Sequence, residues 1–81
     1  MLLQVENLSK NQRQQIENRI KEIEKEIPVS EDRLAQLTSQ MSLPEITADH
    51  TKLQEINDEF QKTELKIQSL YSEWDDLAKT L

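Results

Sequence analysis

Two runs of apolar residues mirror each other along this chain, and each run steps by alternating threes and fours. This spacing is typical of a coiled-coil seam, where an apolar side chain returns to the same helix face about every 3.5 residues. Each run has one polar interruption, at Ser30 and at Thr63, and these two meet when the chain is folded back on itself. The first run is Ile16, Ile20, Ile23, Ile27, Ser30, Leu34, Leu37 and Met41, and the second is Leu53, Ile56, Phe60, Thr63, Ile67, Leu70, Trp74, Leu77 and Leu81. The pattern predicts an all-α fold, a coiled-coil hairpin of two antiparallel helices.

Helix signals divide the chain into a linker and a single hairpin domain. Ser9 followed by Gln12 forms a capping box, so the first helix begins there. Pro44 disfavours helix at the residue before it and marks the tip, and Thr47 or Asp49 caps the second helix. We expect a linker or an artificial chain end over 1–8 and the hairpin over 9–81, with helices over about 9–41 and 49–80 and the tip over about 42–48.

Pro28 lies inside the first apolar run, where it has no N–H to donate and its ring crowds the carbonyl of Glu24. Two structures fit this position. The helix either ends near Ile27 and restarts with Ser30 as N-cap, or it continues through a kink or a 3₁₀ turn. Because the heptad phase runs unbroken from Ile27 to Leu34, the pattern favours a kink or a very short break.

Charged residues beside the seam test the same register independently. In an antiparallel hairpin the g positions of the two helices face each other, and most of these pairs combine opposite charges here. On the other flank Glu31 faces Glu64, a pair of like charges that the pattern does not explain. The g pairs are Arg19–Glu73, Glu26–Lys66, Arg33–Glu59 and Gln40–Lys52. Such pairs specify the register and the antiparallel orientation of the helices.

The composition excludes several classes of function. With 81 residues the chain can form one small domain, and a two-helix hairpin has only a seam to bury. It contains no cysteine and no glycine, which excludes disulfides, thiolate metal sites and a glycine-rich phosphate loop. His50 has no second ligand at a metal-binding spacing, and no apolar stretch is long enough to span a membrane. We therefore expect no catalytic residue, no metal or cofactor site, no small-molecule substrate and no membrane contact.

The net charge of −6 is unevenly distributed, and this leaves the first helix available to an anion. Residues 9–41 carry six basic and six acidic residues, whereas residues 49–81 carry four and eight. The outer face of the first helix has a polar-to-basic stripe that suits a phosphate backbone or a ribosomal surface, with an ordinary solvated face as the alternative. The candidate nucleic-acid contacts, called the basic stripe below, are Lys10, Arg13, Lys21 and Lys25.

Several segments resemble the C-terminal domain of the Uup-type ABC-F ATPases, and the likeness covers about residues 8–81. They are Leu8-Ser9, Gln12-Arg13-Gln14, Ile16-Glu17, the run from Ile20 to Ile27, the tip Leu43-Pro44-Glu45-Ile46, Lys52-Leu53-Gln54-Glu55-Ile56 and the run from Leu70 to Leu77. The resemblance implies the coiled-coil tail of a cytoplasmic protein that has two ATP-binding cassettes and no membrane domain. ABC-F proteins are linked to translation on the ribosome and to antibiotic resistance, and the Uup-type tail is associated with DNA binding. ATP and Mg²⁺ would belong to the cassettes, whose motifs this chain does not contain.

These observations lead to one expected function and two alternatives. We expect a non-catalytic module of a cytoplasmic ABC-F ATP-binding protein that contacts DNA, ribosomal RNA or the ribosome, as a monomer or weak homodimer. The first alternative is a structural spacer or oligomerisation coiled coil without nucleic-acid contact, since two hairpins can pair into a four-helix bundle. The second is a substrate-handling arm, like the hairpins of prefoldin or seryl-tRNA synthetase, with Leu43 and Ile46 at its tip.

Overall fold

The computed structural model describes residues 8–81, and over this range the chain is a helical hairpin. Helix α1 spans Lys10–Met41, a short helix α2 spans Pro44–Thr47 at the tip, and helix α3 spans His50–Thr80. Helices α1 and α3 pack against each other along their length, and the molecule measures 58 × 20 × 13 Å. The predicted all-α hairpin is confirmed. The predicted linker over 1–8 lies, apart from its last residue, outside the described residues.

The beginning of α1 is fixed by the capping box that the sequence predicts. The Gln12 amide donates to Ser9 Oγ at 3.1 Å, and the Ser9 amide donates to Gln12 Oε1 at 2.9 Å. Each side chain therefore satisfies an amide that the first turn of a helix leaves without an intrahelical acceptor. At the second candidate cap, Asp49 rather than Thr47 is the N-cap, because the Lys52 amide donates to Asp49 Oδ1 at 3.1 Å.

Helix α1 continues through Pro28 as an α-helix, so a restart with Ser30 as N-cap and a 3₁₀ turn are both wrong, and the kink stays a prediction. Ile27 and Ser30 flank the proline and are both buried, with 9% and 5% of their surfaces exposed. An interruption would turn one of these two side chains out of the seam. Packing on both sides therefore keeps the helix in phase although Pro28 gives up one backbone hydrogen bond.

The tip is more ordered than the expected turn. Leu43 is extended, with φ −72° and ψ 135°, and Pro44 then occupies the first turn of α2. A proline suits this position because its missing N–H would have no acceptor in the first turn of a helix. Ile46 is half-buried whereas Leu43 remains exposed, so only one of the two tip residues folds over the end of the hairpin.

The core is a thin seam between α1 and α3. Ile23, Ile27 and Leu70 form its buried cluster, against which Trp74 and Leu77 pack. Ile23 and Leu70 share one buried cluster, as the mirrored pattern predicts, and the pairs Arg19–Glu73 and Arg33–Glu59 confirm the register of the hairpin. Few large side chains are completely covered, as expected for two helices with no third layer.

The polar interruptions of the seam behave differently in the two helices. Ser30 is buried in α1, whereas Thr63 of α3 is half-buried. The Thr63 hydroxyl donates to the Glu59 carbonyl at 2.8 Å, so its hydrogen-bond acceptor lies within its own helix. Among residues 8–81, no buried side-chain nitrogen or oxygen lacks a hydrogen-bond partner.

Candidate functional site

One flank of the seam, called the paired flank, carries ion pairs between α1 and α3. Arg19 donates to both carboxylate oxygens of Glu73, at 2.7 and 2.8 Å, and Arg33 Nε donates to Glu59 at 2.7 Å. Both are predicted g pairs, and both are confirmed. A guanidinium facing a carboxylate in this forked arrangement fixes orientation as well as charge.

The other two predicted g pairs, Glu26–Lys66 and Gln40–Lys52, form neither an ion pair nor a side-chain hydrogen bond in the described residues. Glu26 lies 3.5 Å from Arg19 Nη1, two turns back along its own helix, instead of pairing with Lys66. Arg19 is thereby surrounded by carboxylates from both helices, and Glu26 pairs with this guanidinium rather than with Lys66. Gln40 and Lys52 form no side-chain hydrogen bond within residues 8–81.

The paired flank also shifts the ionisation of its members. The hydrogen bonds from Arg19 lower the pKa of Glu73, and the one from Arg33 lowers the pKa of Glu59. In return, the hydrogen bond to Glu73 raises the pKa of Arg19. These four groups are committed to one another and offer little free charge to a ligand.

The basic stripe lies on exposed surface of α1, and all four of its residues are exposed. At 100° of rotation and 1.5 Å of rise per residue, they fall within about a third of the circumference and span about 22 Å. In the part of the chain that the structure describes, ion pairs involve the basic residues Arg19, Arg33 and Lys79, and none from the stripe. The first turn of α1 also carries no acidic residue. The stripe can therefore meet an anion without first breaking an internal ion pair.

Sequence reasoning missed a second feature, a cleft between α1 and α3 on the flank opposite the ion pairs. Its volume is about 290 Å³. Trp74 Nε1 donates to Glu24 Oε2 at 3.2 Å across the cleft, while the indole packs against the buried cluster of the seam. We call it the aromatic cleft, and its lining residues are Glu24, Ile27, Pro28, Tyr71 and Trp74.

Glu31, which the pattern places opposite Glu64, has Tyr71 as its hydrogen-bond partner instead. The Tyr71 hydroxyl, at the edge of the aromatic cleft, donates to Glu31 Oε2 at 3.4 Å. The charge of Glu31 raises the pKa of Tyr71. Tyr71 is one heptad beyond Glu64 and half exposed, so an aromatic at this e position beside a row of glutamates is the signal that could have indicated the cleft.

Two kinds of site have no counterpart in the described residues. Across residues 8–81, no three of His, Cys, Asp and Glu lie together in a way that could hold a metal ion. Over the same range no helix combines the length and the apolar character needed to cross a membrane.

An antiparallel helical hairpin with a thin seam and one ion-paired flank belongs to the class of coiled-coil modules. Comparison with known families places the chain within that class. The chain belongs to the ABC transporter C-terminal domain family, whose model matches residues 7–79. This match confirms the resemblance seen in the sequence and identifies the chain as a non-catalytic module. No curated protein and no solved structure matches it.

Proposed function

We propose that this hairpin is the C-terminal coiled-coil module of a cytoplasmic ABC-F ATP-binding protein and that it contacts nucleic acid, as DNA or ribosomal RNA. Membership of the ABC transporter C-terminal domain family supports the parent assignment. Binding and hydrolysis of ATP would be carried out by cassettes elsewhere in the parent. The hairpin's contribution is to place a charged rod against a polyanion.

The observation that carries this proposal is the division of the basic residues of α1 into two sets. Arg19 and Arg33 are held by carboxylates of α3, whereas the basic stripe makes no ion pair within residues 8–81. Uncommitted lysines and arginines on a helix are the groups that neutralise phosphates and release counterions. Their span of about 22 Å is long enough to follow several successive phosphates.

The charge distribution supports one orientation on a nucleic acid. Residues 49–81, which comprise α3 and its cap Asp49, contain eight acidic and four basic residues, whereas α1 is balanced. A polyanion is therefore repelled by the α3 side and accepted by the α1 side. The hairpin would lie with α1 against the phosphates and α3 facing away, which also explains how a chain of net charge −6 could bind a nucleic acid.

Salt-dependent binding of the 81-residue chain to duplex DNA, single-stranded DNA and folded RNA tests the proposal. Four phosphate contacts would give a slope of about −3 to −4 in log K against log salt, at about −0.9 for each contact on duplex DNA. The variant K21A/K25A should reduce this slope by about 2. The matched control is K52A/K62A, which removes the same charge from exposed positions of α3. Absence of binding at low salt, or equal loss in both variants, would reject the basic stripe.

A thin core supports the structural alternative, an oligomerisation coiled coil. Ile23 and Leu37 are the largest side chains completely buried among the described residues, while Val29 and Leu65 are 69% and 62% exposed. A second hairpin could cover such exposed apolar residues in a four-helix bundle. Sedimentation equilibrium distinguishes oligomerisation from nucleic-acid binding. Oligomerisation requires dimers whose population rises with protein concentration and does not depend on nucleic acid.

A further inference from the structure

The flank opposite the ion pairs is acidic and has no internal counterions. Glu17, Glu24 and Glu31 recur at intervals of seven on α1, and Glu64 occupies the corresponding row of α3. Within residues 8–81 none of the four takes part in an ion pair. We call these residues the acidic flank. A row of like charges without internal counterions gives this flank a negative potential that attracts positively charged partners.

The aromatic cleft lies in the middle of the acidic flank, and its polar groups are already oriented. Trp74 and Tyr71 each donate one hydrogen bond to a carboxylate, to Oε2 of Glu24 and Oε2 of Glu31. These contacts hold the rings and carboxylates in place and leave the second oxygen of each carboxylate available. A site with acceptors and aromatic faces fixed in advance loses less conformational entropy when it binds.

Pro28 forms part of the lining of the cleft and leaves the Glu24 carbonyl without its usual helical donor. In a regular helix the carbonyl of Glu24 would accept a hydrogen bond from the amide of residue 28, which a proline cannot supply. Both residues line the cleft. The cleft therefore combines two aromatic rings with the carboxylate of Glu24, and Glu31 lies at its edge through the contact with Tyr71.

This combination suits a guanidinium more than any other biological cation. Arginine is planar, stacks on aromatic faces and presents five N–H donors, whereas lysine is a compact, strongly hydrated point charge. The volume of about 290 Å³ falls just below the range of about 300–1,000 Å³ typical of small-molecule pockets. Half of Tyr71 is open to solvent, so the cleft suits a side chain presented by another polypeptide.

We infer that the aromatic cleft binds an arginine side chain of a basic partner polypeptide, whose neighbouring positive charges are attracted along the acidic flank. The partner is recognised by stacking of its guanidinium on Trp74 and Tyr71 and by charge-assisted hydrogen bonds to Glu24 and Glu31. The interaction goes beyond the proposed contact with nucleic acid, because it uses another face of the rod and does not require the basic stripe.

Trp74 is the only tryptophan of the chain, so its fluorescence reports on the cleft directly. The probe is a short acetylated peptide of alternating serine and arginine, titrated at low and at physiological salt. We expect saturable binding that E24Q/E31Q weakens about tenfold. The charge-matched control E55Q/D58N, at exposed positions of α3, should bind within about twofold of the unaltered chain. Circular dichroism verifies that each variant remains helical.

Two further comparisons identify the arginine contact. Tyr71→Ala should weaken binding about fivefold, whereas Tyr71→Phe, which keeps the ring, should retain most of it. The corresponding serine–lysine peptide should bind clearly more weakly than the arginine peptide. The K21A/K25A variant should bind the arginine peptide normally, so this test can succeed or fail independently of nucleic-acid binding.

Several results would overturn the inference. No change in Trp74 fluorescence would show that the cleft is not occupied by the peptide. Equal weakening by E24Q/E31Q and E55Q/D58N would show attraction by net charge alone, and equal binding of the lysine peptide would exclude guanidinium recognition. Dimers that alter Trp74 fluorescence without peptide would show that a second copy of the hairpin occupies the cleft.

Discussion

Arg19 and Glu73 are joined by two hydrogen bonds, from Nε to Oε2 at 2.7 Å and from Nη2 to Oε1 at 2.8 Å, although 54 residues separate them in sequence. The pair lies near the open end of the hairpin, far from the tip that connects the helices. Because a shift of one residue rotates a helical side chain by about 100°, this fork can form in only one register. The pair therefore specifies alignment where the connection itself constrains it least.

A charge swap tests the role of this pair in the register. Arg19→Glu places a third carboxylate beside Glu22 and Glu26, and we expect it to lower the melting temperature by roughly 2–5 °C. Glu73→Arg should also destabilise the hairpin. The double variant R19E/E73R should recover part of the loss, because the cross-helix attraction is restored while the contacts with Glu22 and Glu26 are not.

Thermal unfolding followed by circular dichroism measures this effect. The control swap is D75K/K79D, which reverses a pair confined to α3, joined at 2.8 Å, and so has no effect on register. If the effects of R19E and E73R simply add in the double variant, the two residues are not energetically coupled.

The same ion pairs predict how stability depends on pH. Hydrogen bonds from Arg33 and Arg19 lower the pKa of Glu59 and Glu73 below the ordinary value of 4.5 in the folded chain. A carboxyl with a lower folded pKa stabilises the fold at pH values above its unfolded pKa, and the effect disappears as the pH falls through the folded pKa.

We therefore expect the unfolding midpoint in urea to be constant near neutral pH and to fall once the pH drops below about 4.5. The variant E59Q/E73Q should show a weaker fall, since its side chains do not titrate. The exposed pair E55Q/D58N serves as the control and should retain the fall. An identical pH profile for E59Q/E73Q and the unaltered chain would contradict the assignment.

The seam, the cap at Ser9 and the pairs of Arg19 and Arg33 could be predicted because each depends on fixed helical spacing. Residues three, four and seven apart share a face whatever the rest of the chain does. Mirror symmetry of the two runs then determines which residues of α1 meet α3, in agreement with the buried cluster that Ile23 shares with Leu70. Local geometry was sufficient here because the fold has no third layer to override it.

Spacing alone could not predict choices between neighbouring partners. Glu26 could reach Lys66 across the seam or Arg19 along its own helix, and the rotamers that decide this are not encoded in a heptad. The aromatic cleft depends likewise on Trp74 turning toward Glu24. The residues of the basic stripe are exposed on α1, as the sequence predicts. Their contact with nucleic acid stays a prediction.

Truncation of the seam should show how little core supports the hairpin. Ile23 and Leu37 are both 0% exposed, and replacing either by alanine should cost about 2–5 kcal/mol of unfolding free energy. In a domain this small, that is a large fraction of a total of about 5–15 kcal/mol. Leu65→Ala, at a position 62% exposed, is the control and should change stability by less than about 0.5 kcal/mol.

Urea unfolding at several protein concentrations measures these changes. A large cost for Leu65→Ala, increasing with protein concentration, would show that Leu65 is covered by a second hairpin. That result would favour the oligomerisation alternative over a monomeric module.

Helix caps provide a prediction that separates the two candidate caps of α3. Asp49 accepts from the Lys52 amide, so Asp49→Ala should destabilise the hairpin by about 1 kcal/mol. The Thr47 hydroxyl instead donates to the Pro44 carbonyl at 3.1 Å, within α2, and Thr47→Ala should cost less than half as much. Chemical denaturation of the two variants side by side measures the difference. A greater cost for Thr47→Ala than for Asp49→Ala would show that Asp49 is not the residue that caps α3.

Pro28 should make the middle of α1 the place where the hairpin opens most easily. The proline removes the hydrogen bond to the Glu24 carbonyl, and Val29 beside it is 69% exposed. We expect amides near Val29 to exchange with solvent faster than those one turn away on either side, because local opening breaks one bond fewer there. Hydrogen exchange followed by NMR measures each amide separately.

The substitution Pro28→Ala tests the cause directly. Alanine supplies the missing N–H and is about 3 kcal/mol more favourable than proline in a helix interior, so the variant should be more stable and its amides near Val29 should exchange more slowly. The control Ala35→Ser, at an exposed position further along α1, should leave exchange at Val29 unchanged. Uniform protection from Glu24 to Asp32 in the unaltered chain would show that packing of Ile27 against α3 fully compensates for the lost hydrogen bond.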